Sequence, residues 1–113
     1  MKAYLAIGLS VIWPSVVWAE IATVADYDTV SQKQRSEYIA EMLGSIHQYY
    51  QSNKETKLKA TCMEDLYNQK NASGTPRIFT VIVNEIDFAR EIDPRAYRVD
   101  EIIFGVIERE CSD

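Results

Sequence analysis

The sequence predicts an all-α protein: a small single domain of about four helices, held by one disulfide and following a cleaved signal peptide. Three observations lead to this prediction. Apolar residues recur at spacings of three and four along several segments, which is typical of amphipathic helices. Turn-forming and proline-containing stretches separate these segments. The chain also has two cysteines, Cys62 and Cys111, behind a first segment that is typical of export.

The first 19 residues have the three parts of a secretory signal peptide. Lys2 provides a basic start, residues 3–12 form an apolar run, and residues 17–19 (VWA) form a small-x-small cleavage pattern before Glu20. The apolar run is shorter than the roughly 20 residues that span a bilayer, which favours cleavage over a membrane anchor. We therefore expect an exported protein, located in the periplasm, that is free of the membrane after cleavage.

The mature chain is short and acidic. Residues 20–113 suffice for one domain but not for a second core. Removal of Lys2 with the signal leaves 11 basic and 17 acidic residues, a net charge of −6. Nucleic acids and anionic membranes require clustered Lys and Arg, so this charge argues against both. A basic or neutral protein partner fits better.

The first helix of the body is the clearest element. It is predicted from Ser31 to about Ser52, with glutamate and glutamine side chains opposite an apolar stripe. Residues 20–30 before it have no clear period, and we expect a loose N-terminal arm that can dock on the body. The helical domain is then predicted to span residues 31–113. The apolar stripe consists of Tyr38, Ile39, Met42, Leu43, Ile46, Tyr49 and Tyr50.

The next predicted helix depends on a capping signal. Thr75 followed by Pro76 predicts its start, because threonine caps helices and proline is favoured in the first turn. The β-branched run over residues 78–83 would suit a strand in isolation, but the cap and the length favour a helix. The apolar residues at helical spacing are Ile78, Ile82, Ile86 and Ala89.

Of two further predicted helices, one contains a cysteine and the other ends next to one. A short helix is predicted over residues 60–69, with Cys62 turned inward. The last helix is predicted to begin at residues 93–94, an Asp-Pro pair that repeats the capping signal, and to run to about Glu110. Cys111 follows directly.

In an exported protein, a disulfide between Cys62 and Cys111 is the default expectation, because thiols oxidise in that compartment. Closing a loop of about 50 residues would contribute roughly 4 kcal/mol to stability in the chain-entropy model. The chain has no CxxC pair and a single histidine, His47, which disfavours a redox or metal role. We predict no metal site and no cofactor.

No motif assembles a catalytic site. The chain lacks HExxH, GxSxG and a glycine-rich phosphate loop. The acidic cluster over residues 85–93 lacks the alternating spacing of a calcium loop, which favours a solvated face. We therefore predict that the protein is not an enzyme.

Five residues are candidates for contact with a protein partner. Val81 and Phe88 lie one heptad apart and away from the main stripe, with Glu85 between them. They form either a contact patch or, as the favoured alternative, a second packing face within the fold. Glu85 and Glu91 could form an acidic rim for a basic partner. Tyr49, near the end of the first helix, is the aromatic residue expected at such a contact.

The order of these features resembles the Rap/Tai class, small periplasmic immunity proteins that protect bacteria from peptidoglycan amidases delivered by type VI secretion. The resemblance covers about the last 76 residues. It departs from the class at Glu41, where a glycine is usual, and at Met63, where a proline is common. A second cysteine pair is also missing. The matching stretches are residues 38–43 (YIAEML), 61–63 (TCM), 74–76 (GTP) and 102–111 (IIFGVIEREC).

The resemblance implies a helical domain that binds and blocks a secreted amidase by a protruding loop or helix end. It does not identify the inserted residues, and a homodimer stays open. Two other interpretations also stay open. One is an envelope interaction module of unknown partner. The other is an acid-stress chaperone of the HdeA kind, a class that is also small, helical and held by one disulfide. The acidic residues Glu64 and Asp65, which follow a Thr-Cys pair in this chain, resemble that class.

Overall fold

The computed structural model describes residues 21–112, which fold into helices with no extended strand. The predicted signal peptide lies outside this range. No helix within the range is both long and apolar enough to cross a membrane. The all-α prediction is confirmed. The α-helices of this range are α1 (Val24–Tyr27), α2 (Gln32–Ser52), α3 (Lys57–Asn68), α4 (Arg77–Ile92) and α5 (Val99–Glu110).

The long helix α2 begins where the sequence predicts. The Ser31 hydroxyl accepts a hydrogen bond from the Gln34 backbone N–H at 3.2 Å, and the Gln34 side chain accepts one from the Ser31 N–H at 3.1 Å. This reciprocal capping box satisfies two of the backbone donors that a helix start leaves free. Helix α2 packs against α3 and α5.

Isoleucine is the most frequent residue of the core, and most of these isoleucines lie on α2, α4 and α5. Helix α3 packs between α2 and α4, and α5 contacts both α4 and α2, so that the helices enclose one apolar interior. Full burial of one such side chain contributes roughly 1.5–3 kcal/mol. The isoleucines that are at most 2% exposed are Ile39, Ile78, Ile82, Ile86, Ile103 and Ile107.

The β-branched segment at residues 78–83 is helical. Ile78, Ile82 and Ile86 are all buried at four-residue spacing, whereas a strand would bury every second residue. The expected cap is wrong in detail. Pro76 immediately precedes the first helical residue, and no side chain caps this end. Packing of the apolar face therefore decides the conformation here.

Helix α3 begins earlier than predicted. We expected a start at Ala60, but the helix starts at Lys57 and is preceded by a 3-10 turn at Lys54–Thr56. The Asn53 side chain initiates that turn by accepting a hydrogen bond from the Glu55 N–H at 2.9 Å. The polar residues of the first turn are exposed, so their polarity is compatible with a helix.

Helix α5 begins later than predicted. We expected a start at Asp93, but the first helical residue is Val99. The reason is the N-terminal arm: Val24 N–H donates to the Tyr97 carbonyl at 3.0 Å, and Val99 N–H donates to the Ala22 carbonyl at 2.9 Å. These backbone groups pair with the arm and are not available for an earlier helical turn.

The arm itself is not loose over its described part. Helix α1 has a capping box between Thr23 and Asp26, and Val24 and Tyr27 are buried in the core. Asp28 next to α1 binds the Arg90 guanidinium of α4 through two hydrogen bonds of 2.7 and 2.9 Å. These contacts hold the described part of the arm against α4 and the core.

The disulfide between Cys62 and Cys111 is confirmed, with 5.8 Å between the Cα atoms. It joins α3 to the end of α5. Beside it, the Glu108 carboxylate accepts hydrogen bonds from Lys59 at 2.8 and 3.0 Å and from the Tyr50 hydroxyl. The Lys59 ammonium, followed by the Tyr50 hydroxyl, holds the pKa of Glu108 below its ordinary value. Three helices meet at this polar contact.

Candidate protein-binding surface

A groove between α4 and α5 is lined by several exposed apolar side chains. We define the α4–α5 groove by Phe88 and Ile92 on α4, Tyr97 in the connection, and Ile102 on α5. Its volume is about 320 Å³. Phe88 is 64% exposed, Ile92 56% and Tyr97 39%. Phe88 and Ile92 stand one helical turn apart, so they point the same way.

Charged groups border this apolar surface. Arg109 of α5 donates a hydrogen bond to Glu85 of α4 at 2.9 Å, and this ion pair lies in the lining of the groove. The hydrogen bond to Glu85 raises the pKa of Arg109 above its ordinary value. Glu101 also lines the groove. An apolar centre with a charged margin is typical of protein interaction surfaces.

A second groove lies on the opposite side of α5, against α2. It has a volume of about 390 Å³ and contains Met42 and the 43% exposed Phe104. Glu101 and Gly105 line this groove as well as the α4–α5 groove. The outward face of α5 is thus a narrow surface with an apolar depression on each side.

The structure separates the five predicted contact residues. Glu85 and Phe88 line the α4–α5 groove. Val81 packs against the core, as the favoured alternative expected, whereas the same expectation for Phe88 is wrong because that ring is exposed. Glu91 is exposed but outside the groove lining. Tyr49 is 62% exposed and lies in a different depression at the end of α2.

Sequence reasoning missed several residues of this surface. Tyr97 was assigned to the last helix, because the arm that holds it in the connection was not foreseen. Ile92 could have been found, since it stands four residues after Phe88 on the same helix face. Gly105 could also have been found, because a glycine within an apolar helix often has a packing or functional reason. It lines the groove.

A third groove, between α2 and α3, holds the single histidine. His47 Nε2 lies 2.7 Å from Glu64 Oε2, and the lining includes Tyr67 and Phe79. No serine, threonine or cysteine is among the residues that line this groove. Among residues 21–112, no three His, Cys, Asp or Glu side chains are grouped to hold a metal ion.

No family model matches the chain, and neither a curated protein nor a solved structure is similar enough to count as a match. The resemblance to the Rap/Tai class therefore rests on the stretches quoted above.

Proposed function

We propose that this chain is an exported protein-binding domain of the immunity type, which binds and inhibits a peptidoglycan amidase. The observation that supports the proposal best is the α4–α5 groove. Phe88, Ile92 and Tyr97 present a contiguous apolar surface beside the Glu85–Arg109 pair. Partly exposed aromatic and aliphatic anchors of this kind carry most of the free energy in protein interfaces.

The fold supports inhibition because it holds this surface on rigid elements. The groove is formed by two helices whose inner faces are fully buried, and the Cys62–Cys111 disulfide joins the end of α5 to α3. A surface that is already in its binding conformation loses little conformational entropy when it binds. Such preorganisation suits an inhibitor that must form a stable complex.

Charge indicates the character of the partner. The mature chain carries a net charge of −6. Glu91 and Glu101, which form no ion pair within residues 21–112, lie on the helices that flank the groove. Opposite charge on a partner raises the association rate and favours correct partners. We infer that the amidase presents a neutral or basic surface around its catalytic cleft.

The test is a titration of the mature chain into a panel of purified peptidoglycan amidases, with hydrolysis of peptidoglycan as the readout. We expect one amidase to be inhibited fully at an equal molar amount. Phe88→Ala should weaken that inhibition by about 30-fold or more, as expected for a hot-spot residue. Val83→Ala is the matched control, because Val83 is an exposed apolar residue of α4 outside the groove.

Two outcomes would contradict the proposal. Full activity of every amidase at a large excess of the chain would remove the inhibitor function and leave an envelope interaction module of another partner. Equal loss of inhibition in the Phe88 and Val83 variants would remove the groove as the binding surface.

An acid-stress chaperone is a second proposal, favoured by the carboxylates that join elements of the fold. Asp28 pairs with Arg90 and Glu108 pairs with Lys59, and in both cases the cation lowers the pKa of the carboxyl group. Protonation at low pH would break both contacts and expose apolar helix faces. A chaperone should suppress aggregation of several client proteins below about pH 4. Unchanged compactness at that pH would exclude this function.

A further inference from the structure

The groove between α2 and α3 combines an apolar interior with one polar pair, and we call it the α2–α3 groove. Leu43, Met63 and Ile78 line it and are buried in the core. His47 and Glu64 provide the polar pair. The volume of the groove is about 390 Å³, within the range of about 300–1,000 Å³ that small-molecule sites occupy. An apolar lining with a few polar groups is typical of such sites.

The His47–Glu64 pair presents hydrogen-bond acceptors. An ionised carboxylate can only accept, so His47 Nε2, which lies 2.7 Å from Glu64 Oε2, donates the proton of that bond. Nδ1 of the neutral imidazole and the remaining lone pairs of the half-exposed Glu64 carboxylate are then acceptors. The described residues that line the groove include no Lys or Arg to fill them. The pair therefore suits a ligand that carries N–H donors and a positive charge.

Two aromatic rings line the same groove. Tyr67 of α3 and Phe79 of α4 lie edge to face, with 6.4 Å between the ring centroids. The faces of aromatic rings attract cations, and they also pack well against flat apolar groups. The Lys70 ammonium lies 4.9 Å from the centroid of the Tyr67 ring, so this ring already has a cation beside it within the chain.

We propose that the α2–α3 groove binds a small organic cation with a flat apolar body, of the aryl amidinium or guanidinium class. The N–H groups of the cation donate to the Glu64 carboxylate, and charge-assisted hydrogen bonds of this kind are the stronger ones. The flat body packs against Tyr67 and Phe79. The net charge of −6 on the mature chain also attracts a cation. This binding does not depend on the proposed amidase inhibition, which uses the α4–α5 groove.

Gly44 keeps the groove open. It lies in the interior of α2 and lines the groove, and a Cβ atom added there would meet nothing within 4 Å. Packing among residues 21–112 therefore does not require glycine, although glycine is among the least favourable residues in a helix interior. A ligand gives a reason for its presence, because a larger side chain at this position would occupy the space that the ligand needs.

The experiment is a titration of the disulfide-bonded mature chain with three probes that share one ring and differ in charge: benzamidine, benzamide and benzoate. Two-dimensional NMR of the isotope-labelled chain measures the dissociation constants and maps the contact. We expect saturable binding of benzamidine with a dissociation constant of about 1 mM or below, and shifts of the backbone signals around Gly44, His47 and Glu64. Neutral benzamide should bind at least about tenfold more weakly, because its hydrogen bond to the carboxylate lacks the positive charge. Benzoate should not bind.

Two variants test the two parts of the site. Glu64→Gln keeps an acceptor for His47 but removes the charge, and it should weaken benzamidine binding about tenfold. Gly44→Leu fills the groove and should weaken binding at least about tenfold. The matched controls Glu41→Gln and Ser45→Leu make the same changes at exposed positions of α2 outside the groove lining and should leave binding unchanged. Circular dichroism checks the fold of each variant.

Lys70→Gln tests the charge in the opposite direction. The Lys70 ammonium lies beside Tyr67 and repels a second cation in the groove. Its removal also frees the face of that ring. This variant should therefore bind benzamidine about two- to threefold more tightly, the size expected for one exposed charge. Weaker binding would contradict a site that prefers cations.

Absence of saturable shifts with benzamidine up to about 10 mM would overturn the proposal. Equal affinity for benzamidine and benzamide would also overturn it, since the groove would then not recognise the charge. Binding that persists unchanged in Gly44→Leu would place the ligand elsewhere. Amidase inhibition is measured separately with Phe88→Ala, so failure of cation binding and failure of the proposed function give different results.

Discussion

The C-terminal turn of α5 and the middle of the same helix are held in opposite ways. The C-terminal turn is fixed by the disulfide at Cys111 and by the contacts of Glu108 with α2 and α3. The middle presents Phe104 and Gly105 to the outside. One helix therefore combines an anchor and an exposed apolar surface. The exposed side of the helix adds little to the fold, because the disulfide and the buried Ile103 on the inner side hold the helix in place.

The largest expected effect comes from removal of the anchor. The double variant Cys62→Ala/Cys111→Ala should lose about 4 kcal/mol of unfolding free energy, since the disulfide restricts the unfolded chain. Urea unfolding followed by circular dichroism measures this change. Reductant should destabilise the wild type similarly and leave the variant unaffected. A loss below about 1 kcal/mol would show that the bridge contributes little.

The next effect contrasts two neighbours on α5. Ile103 is fully buried, and Ile103→Ala should cost about 2–5 kcal/mol because it leaves a cavity. Phe104→Ala removes a larger side chain from a partly exposed position and should cost below about 1 kcal/mol. Urea unfolding of both variants at a concentration where each is monomeric provides the comparison. Equal losses would contradict the assignment of an inner and an outer face.

A smaller effect on stability is expected at the C-terminal turn of α5, and this effect depends on pH. The pKa of Glu108 is lowered in the folded state, so its pairing stabilises the fold above its ordinary pKa and is lost as pH falls through the folded value. Glu108→Gln should cost about 1 kcal/mol at pH 7 and progressively less as the pH falls below the ordinary pKa of a glutamate, about 4.3, as expected for a partly exposed pair. Unfolding midpoints across this range test it.

Glu91→Gln is the control for that experiment, because Glu91 forms no ion pair in the described part of the chain. Its effect on stability should be small and nearly independent of pH. If both variants showed the same pH profile, the contact of Glu108 with Lys59 and Tyr50 would not be the source of the dependence.

The smallest expected effect on stability is at the proposed binding surface. Phe88 is 64% exposed, and Phe88→Ala should change the unfolding free energy by no more than about 0.5 kcal/mol. Thermal unfolding compares this variant with Val83→Ala. A loss above about 2 kcal/mol would show that Phe88 is part of the core, and its role in binding would then be inseparable from folding.

The sequence predicted those features of the fold that depend on residues close together in the chain. Ser31 and Gln34 form the capping box that starts α2, and the four-residue spacing of isoleucines on α4 prevails over their β-branching. The pairing of the two cysteines was also predictable. The first two inferences use residues that lie close in sequence. The third is possible because two cysteines allow only one pairing.

The start of α5 and the exposure of Phe88 depend on contacts between distant segments. Val24 and Ala22 take up the backbone groups around Tyr97 and Val99, and this tertiary pairing prevails over the Asp-Pro signal. Phe88 stays exposed because no element within residues 21–112 covers the α4–α5 groove, and the pattern of a single helix cannot indicate whether another element covers it. Of the five residues proposed from the sequence, only Glu85 and Phe88 line this groove.

The most direct test of the proposed function is a pull-down with the tagged mature chain from periplasmic and toxin-delivering extracts at pH 7, with mass spectrometry of the retained proteins. We expect a single peptidoglycan amidase in near-equal molar amount, retained by the wild type and by Val83→Ala but lost with Phe88→Ala. Retention of no peptidoglycan hydrolase, or equal retention by all three proteins, would contradict inhibition through the α4–α5 groove.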